Sequence, residues 1–133
     1  MKNQKKPLKK KILVVDDEPH IGNLIKLTLS ERYDVTEAYT GAEALEKLRR
    51  YKPDLILLDI MMSGMDGFQV LEQIKLKKEL ADVPVVFLTA KSQLQDKMKA
   101  IELGANDYIT KPFDPLELEN KIEANIVLNK LAK

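Results

Sequence analysis

The chain contains no cysteine, which excludes a disulfide framework and a thiolate metal site. It has one histidine, His20, which lies at an expected helix start and reads as a surface residue rather than a phosphocarrier. Long hydrophobic runs are missing too. The apolar stretches are four or five residues long, far below the roughly 18 residues of a membrane span. The lysine-rich start leads into only a four-residue apolar run, too short for a signal-peptide core of about 7–15 residues. A soluble cytoplasmic protein without membrane contact is the expectation. Nor is there an excess of one charge: 22 basic and 21 acidic residues leave a formal net charge of +1, so the chain as a whole is no binder of polyanions. Locally, residues 1–11 hold six lysines and no acid. No aromatic side chain interleaves them as a nucleic-acid stacking surface would require. Residues 1–8 therefore read as a solvated basic lead-in.

What is present is alternation. The 133 residues suffice for one domain with a sizeable core. Short apolar runs alternate with stretches of helical period, which implies an α/β domain of βαβ units with a parallel sheet covered on both faces. Strands are expected near 11–16, 34–39, 54–59, 83–89 and 106–110, the second being the most polar. Helix starts are marked by Pro19, by capping boxes at Thr40–Glu43 and Ser92–Gln95, by Asp66, and by Asp114-Pro115 with Glu117. The inward faces should be Ile21, Leu24, Ile25, Thr28 and Leu29 in the first helix, and Ala44, Leu45 and Leu48 in the second. Val70, Leu71 and Ile74 should face inward in the third, Leu94, Met98 and Ile101 in the fourth, and Leu118, Ile122 and Ile126 in the fifth. Gly104 should close the fourth helix.

Four of the apolar runs end in polar residues: ILVV in Asp16 and Asp17, LILL in Asp59, VVFL in Thr89, and YIT in Lys111. In a parallel sheet these residues emerge at one edge, where open α/β sheets bind ligands. Adjacent acids such as Asp16 and Asp17 repel unless a cation compensates them, and magnesium needs only one or two carboxylates alongside water. Asp17 could instead simply cap the next helix. Asp59 could act as a nucleophile toward phosphorus, and Lys111, held extended before Pro112, could pair with a phosphoryl oxygen. Thr89 and Lys111 also admit ordinary readings as a strand-end threonine and a surface lysine.

VVDDEP, LLDIMMSGMDG, FLTA and DYITKPFD, in this order and spacing, resemble the receiver domain of two-component response regulators. The resemblance covers about residues 9–130. It implies a flavodoxin-like three-layer sandwich with a five-stranded parallel sheet of order 2-1-3-4-5 and five helices. It implies that Asp59 is the phosphoacceptor and that Asp16, Asp17, Asp59 and the Met61 carbonyl hold Mg2+. Asp17 would be the closer ligand, with Asp16 acting partly through water. Thr89 matches the switch hydroxyl, Tyr108 the aromatic switch and Lys111 the phosphate-binding lysine, with a cis bond between Lys111 and Pro112. The implied partners are a sensor histidine kinase or histidine phosphotransfer protein and a downstream protein target or output domain. A phosphorylation-dependent homodimer stays open. Two positions depart from the common pattern. Ser63 stands where many members carry proline, and Leu116 where receivers joined to winged-helix domains usually carry arginine. No helix-turn-helix pattern follows, so direct DNA binding by these residues is not expected, nor is enzymatic activity beyond slow autodephosphorylation. Met61 and Lys91, beside the expected path of the hydrolytic water, predict a persistent phosphoryl group.

Two other readings compete. A haloacid-dehalogenase-like phosphatase also uses an aspartate nucleophile, but as Asp-x-Asp after the first strand; here the run is Asp16-Asp17-Glu18. A flavin-binding module would meet repulsion between its phosphate and the same two aspartates.

Overall fold

The computed structural model describes residues 8–90 and 94–132. Five strands, β1 (Lys10–Val15), β2 (Tyr33–Ala38), β3 (Leu55–Asp59), β4 (Val85–Ala90) and β5 (Asp107–Lys111), alternate with five α-helices. These are α1 (Pro19–Leu29), α2 (Gly41–Lys47), α3 (Gly67–Leu76), α4 (Leu94–Glu102) and α5 (Pro115–Leu131), with one 3-10 turn at Lys78–Leu80. All strand pairs are parallel and the order is β2-β1-β3-β4-β5, the flavodoxin-like arrangement.

The layers follow from strand alternation. Leu13, Val15, Ile56, Leu58, Val85 and Phe87 point to one face and form a core with Ala44, Phe68, Leu71, Ile74 and Ala100 from α2, α3 and α4. Ile12, Val14, Leu55, Leu57, Val86, Leu88 and Ile109 point to the other, against Ile25 and Leu29 of α1 and Leu118 and Ile122 of α5. Both faces are covered, so the central strands read as uninterrupted apolar runs. Each large side chain so buried contributes about 1.5–3 kcal/mol. The polar β2 is a true strand. It is an edge strand paired only with β1, so Asp34 can face water while Tyr33, Val35 and Ala38 are buried.

The helix starts behave as their sequences suggest. Asp66 and Gln69 form a reciprocal capping box. Thr40 accepts from the Glu43 N–H, while the Glu43 carboxylate accepts from the N–H of Tyr39, one residue earlier than expected. Asp114 caps α5 through the Leu116 N–H, and Gly104, at φ 100°, ends α4. The expected cap from Ser92 lies outside the described residues, as does Lys91.

Two inward faces need correction. In α4, Met98 and Ile101 are 54% and 63% exposed, whereas Ala100 is buried at 1%. The helix is turned from the orientation its apolar stripe suggests, with Ala100 rather than Met98 or Ile101 packed into the core. Leu24 in α1 is also exposed, since Ile25 and Leu29 fill the space above β1 and β2.

Candidate functional site

Register brings the four strand ends together. Val15 pairs with Leu58, Asp59 with Leu88, Thr89 with Thr110 and Ala90 with Lys111. Asp16, Asp59 and Thr89 therefore emerge at neighbouring positions on the carboxyl edge, where β1 and β3 diverge to opposite sides of the sheet. Such a switch point leaves a crevice between the outgoing loops. Lys111, two strands from β3, spans the gap with its long side chain.

Asp16, Asp59 and Thr89 are nearly inaccessible to solvent. The Lys111 amine donates to Asp16 Oδ2 at 2.8 Å and lies 3.4 Å from Asp59 Oδ2 and 3.7 Å from Glu18 Oε1. Burial, and then repulsion from Asp16, push the Asp59 carboxyl up to about 6, against the pull of Lys111 and the Met61 N–H. Burial alone would lower Lys111; its hydrogen bond to Asp16 and the charges of Asp59 and Asp16 outweigh this and hold it above the ordinary lysine value. One oxygen each from Asp16, Asp17 and Asp59 lie within 4.8 Å of one another. Three hard carboxylate oxygens at that spacing fit a small divalent cation such as magnesium.

The two loops above the edge complete the site. The Glu18 N–H donates to Asp16 Oδ1 at 2.9 Å, and the Met61 N–H to Asp59 Oδ1 at 3.2 Å. The Ser63 N–H and hydroxyl donate to Asp17 Oδ2 at 3.2 and 3.4 Å. Gly67 starts α3 directly over the end of β3. A Cβ there would run into the Asp59 carbonyl, so this glycine permits the close approach of α3 and the end of β3.

Sequence reasoning missed two of these residues. Glu18 stands third in the acidic run, which was a readable signal. Ser63 reaches Asp17 across 46 residues of sequence, and nothing local announces it. Met61 presents its N–H to the site while its side chain is exposed. His20 is a surface residue 3.9 Å from Glu18. The Lys111–Pro112 bond is cis. Tyr108 sits farther along the sheet, half-buried against the core face of β5. The Lys97 and Lys121 amines lie 4.2 and 5.1 Å from its ring centre, within cation–π range.

Comparison with known proteins decides the family. Residues 12–123 match the family model described as the response regulator receiver domain. The chain belongs to that family. Over 126 residues and 94% of its length it is 44% identical to the alkaline phosphatase synthesis transcriptional regulatory protein PhoP of Bacillus subtilis, covering 52% of that protein. It is 46% identical, over the same share of its length, to the probable transcriptional regulator ycf27 of Porphyridium aerugineum, covering 50% of it. The chain thus spans about half the length of the curated relatives it matches. Among solved structures it resembles a CheY-like receiver domain protein from Methanospirillum hungatei (TM-score 0.87, 30% identity, 94% of this chain and 99% of that one). It also resembles the chemotaxis protein CheY4 of Vibrio cholerae (TM-score 0.85, 29% identity, 88% and 98%). Two-component phosphoacceptor function follows from the family, and the phosphatase alternative is not favoured. Receiver domains take phosphoryl groups from kinases and regulate output domains.

Proposed function

We propose that Asp59 is the phosphoacceptor of this receiver. The observation that carries the reading is a carboxylate only 3% exposed at the end of β3, within reach of two further aspartates and one lysine. An Asp59 oxygen attacks the phosphorus of a phosphohistidine on a sensor histidine kinase or a histidine phosphotransfer protein. The O–P bond forms, the P–N bond breaks, and the leaving imidazole takes up a proton. The Met61 N–H fixes the rotamer of Asp59 during the attack. Asp16, Asp17 and Asp59, with the Met61 carbonyl, would hold Mg2+. The ion, when bound, offsets the repulsion between the incoming phosphoryl oxygens and the carboxylate. Lys111 already lies against Asp59 and moves to a phosphoryl oxygen once transfer is complete.

The switch residues in this reading are Thr89, one residue beyond the β4 partner of Asp59, and Tyr108, whose ring is flanked by lysines of α4 and α5. Their movement reshapes the face of α4, β5 and α5 for a downstream protein target, an output domain or a second copy of the chain. The receiver unit is residues 9–130, with 1–8 as a basic lead-in. Its place of action is the cytoplasm; no helix among the described residues is long and apolar enough to cross a membrane.

Intact mass after incubation with acetyl phosphate tests the acceptor. Wild type should gain one phosphoryl group with magnesium and none with EDTA, and Asp59→Asn should gain none. Equal modification of both proteins overturns the assignment.

A further inference from the structure

Lys111 neutralises Asp16 and Asp59, at 2.8 and 3.4 Å, but no cation lies within ion-pair distance of Asp17 among the described residues. Asp17 is nevertheless held with an oxygen within 4.8 Å of both other carboxylates. It is half-buried, so repulsion would be relieved by a turn of its side chain toward water. Ser63 opposes that turn. Its N–H and its hydroxyl both donate to the same oxygen, Oδ2, at 3.2 and 3.4 Å. Among the described residues both of these bonds fall on Oδ2 and none is made to Oδ1.

The loop that carries Ser63 is itself pinned. Its Met61 N–H lies on Asp59 Oδ1 at 3.2 Å, and the Gly67 N–H closes it onto the Ile60 carbonyl at 2.9 Å. Between them Gly64 takes φ 75°, a left-handed turn suited to glycine. One short loop therefore orients two of the three clustered carboxylates. Ser63 is exposed at the surface, so its role in the core is negligible and its contact with Asp17 is its main engagement.

We propose that Ser63 is a positioning residue for Asp17 and sets how tightly this chain takes up magnesium. The inference rests on the reading above that Asp17 is a magnesium ligand. Partners that orient a ligating carboxylate contribute to affinity although they never touch the ion.

Magnesium titration of the metal-free chain, followed by amide chemical shifts, tests this in wild type, Ser63→Ala, Ser63→Thr and Asp17→Asn, with melting in EDTA recorded for each. Asp17→Asn should bind weakest. Ser63→Ala should raise the magnesium Kd roughly threefold, below the 10–100-fold cost of losing such a partner outright, because only the longer, exposed bond is lost and the N–H bond stays. Ser63→Thr, which keeps the hydroxyl, should bind like wild type, and Ser63→Ala should melt with wild type in EDTA. Wild-type affinity in Ser63→Ala beside impaired Asp17→Asn overturns the role of Ser63 and leaves the magnesium reading standing. Wild-type affinity in Asp17→Asn removes the magnesium reading and the inference together. Lower melting of Ser63→Ala in EDTA with no rescue of affinity by threonine assigns Ser63 to loop folding and overturns the proposal.

Discussion

Lys111 and Asp59 depend on each other for their charge. The amine is kept protonated by Asp16 and Asp59, and Asp59 is kept from still greater destabilisation by the amine. The balance is incomplete: Asp59 rises from 3.8 to about 6. A carboxyl raised in the folded state holds its proton there after the unfolded chain has lost it. Below about pH 4 both states are protonated and the group is neutral toward folding. Between about pH 4 and 6 stability falls as pH rises, and above 6 the loss is complete. Without metal, Asp59→Asn should therefore be more stable than wild type at pH 7, by about 1–3 kcal/mol. The asparagine keeps an acceptor for the Met61 N–H, and Lys111 keeps Asp16. Denaturant unfolding in EDTA across pH 4–7 checks this; a gain that does not shrink toward pH 4 would separate the stability effect from the Asp59 charge.

Individual elements show what a sequence can and cannot convey. Strand ends were legible because an apolar run must stop where the sheet meets water, and ILVV, LILL and VVFL stop at Asp16, Asp59 and Thr89. The caps at Asp66 and Asp114 were legible because their chemistry is local. The phase of α4 was not. Its stripe of Met98 and Ile101 looks like a buried face, yet contact with the sheet is made through Ala100, whose small size carries little signal in a hydrophobic pattern. The contact of Ser63 with Asp17 was hidden for another reason: it joins two loops that meet only once the sheet has formed. The α4 assignment has a direct consequence for stability. Ile101→Ala should change it by no more than about 0.5 kcal/mol, as at exposed sites generally. Ala100→Leu should cost about 1–3 kcal/mol through overpacking. Thermal or urea unfolding of the two variants decides; a larger loss for Ile101→Ala would return Ile101 to the core.

At the scale of the whole molecule, the proposed transfer to Asp59 places charge at the end of β3, and the proposed switch requires that charge to be felt at the outer face of β5. Lys111 is the physical link, since it belongs to β5 and lies against Asp59 of β3. Tyr108, three residues earlier on that strand, is gripped by Lys97 of α4 and Lys121 of α5. Lys121 also donates to the Tyr108 carbonyl at 3.0 Å. A shift of β5 toward a phosphoryl group would disturb both helices together, the behaviour of a two-state element biased by local charge. Lys111→Ala should therefore still accept some phosphoryl group, yet show smaller amide-exchange changes at Tyr108 and along α4 than wild type. Changes of wild-type size would remove Lys111 from the switch.

All of this depends on where the phosphoryl group goes. Borohydride reduction of the phosphorylated chain converts an aspartyl phosphate to homoserine, and peptide mass spectrometry then locates the altered residue. Homoserine at position 59 alone, formed only when magnesium was present, is the expected result. Homoserine at Asp16 or Asp17, or a stable phosphate on His20 with residue 59 unaltered, would contradict it.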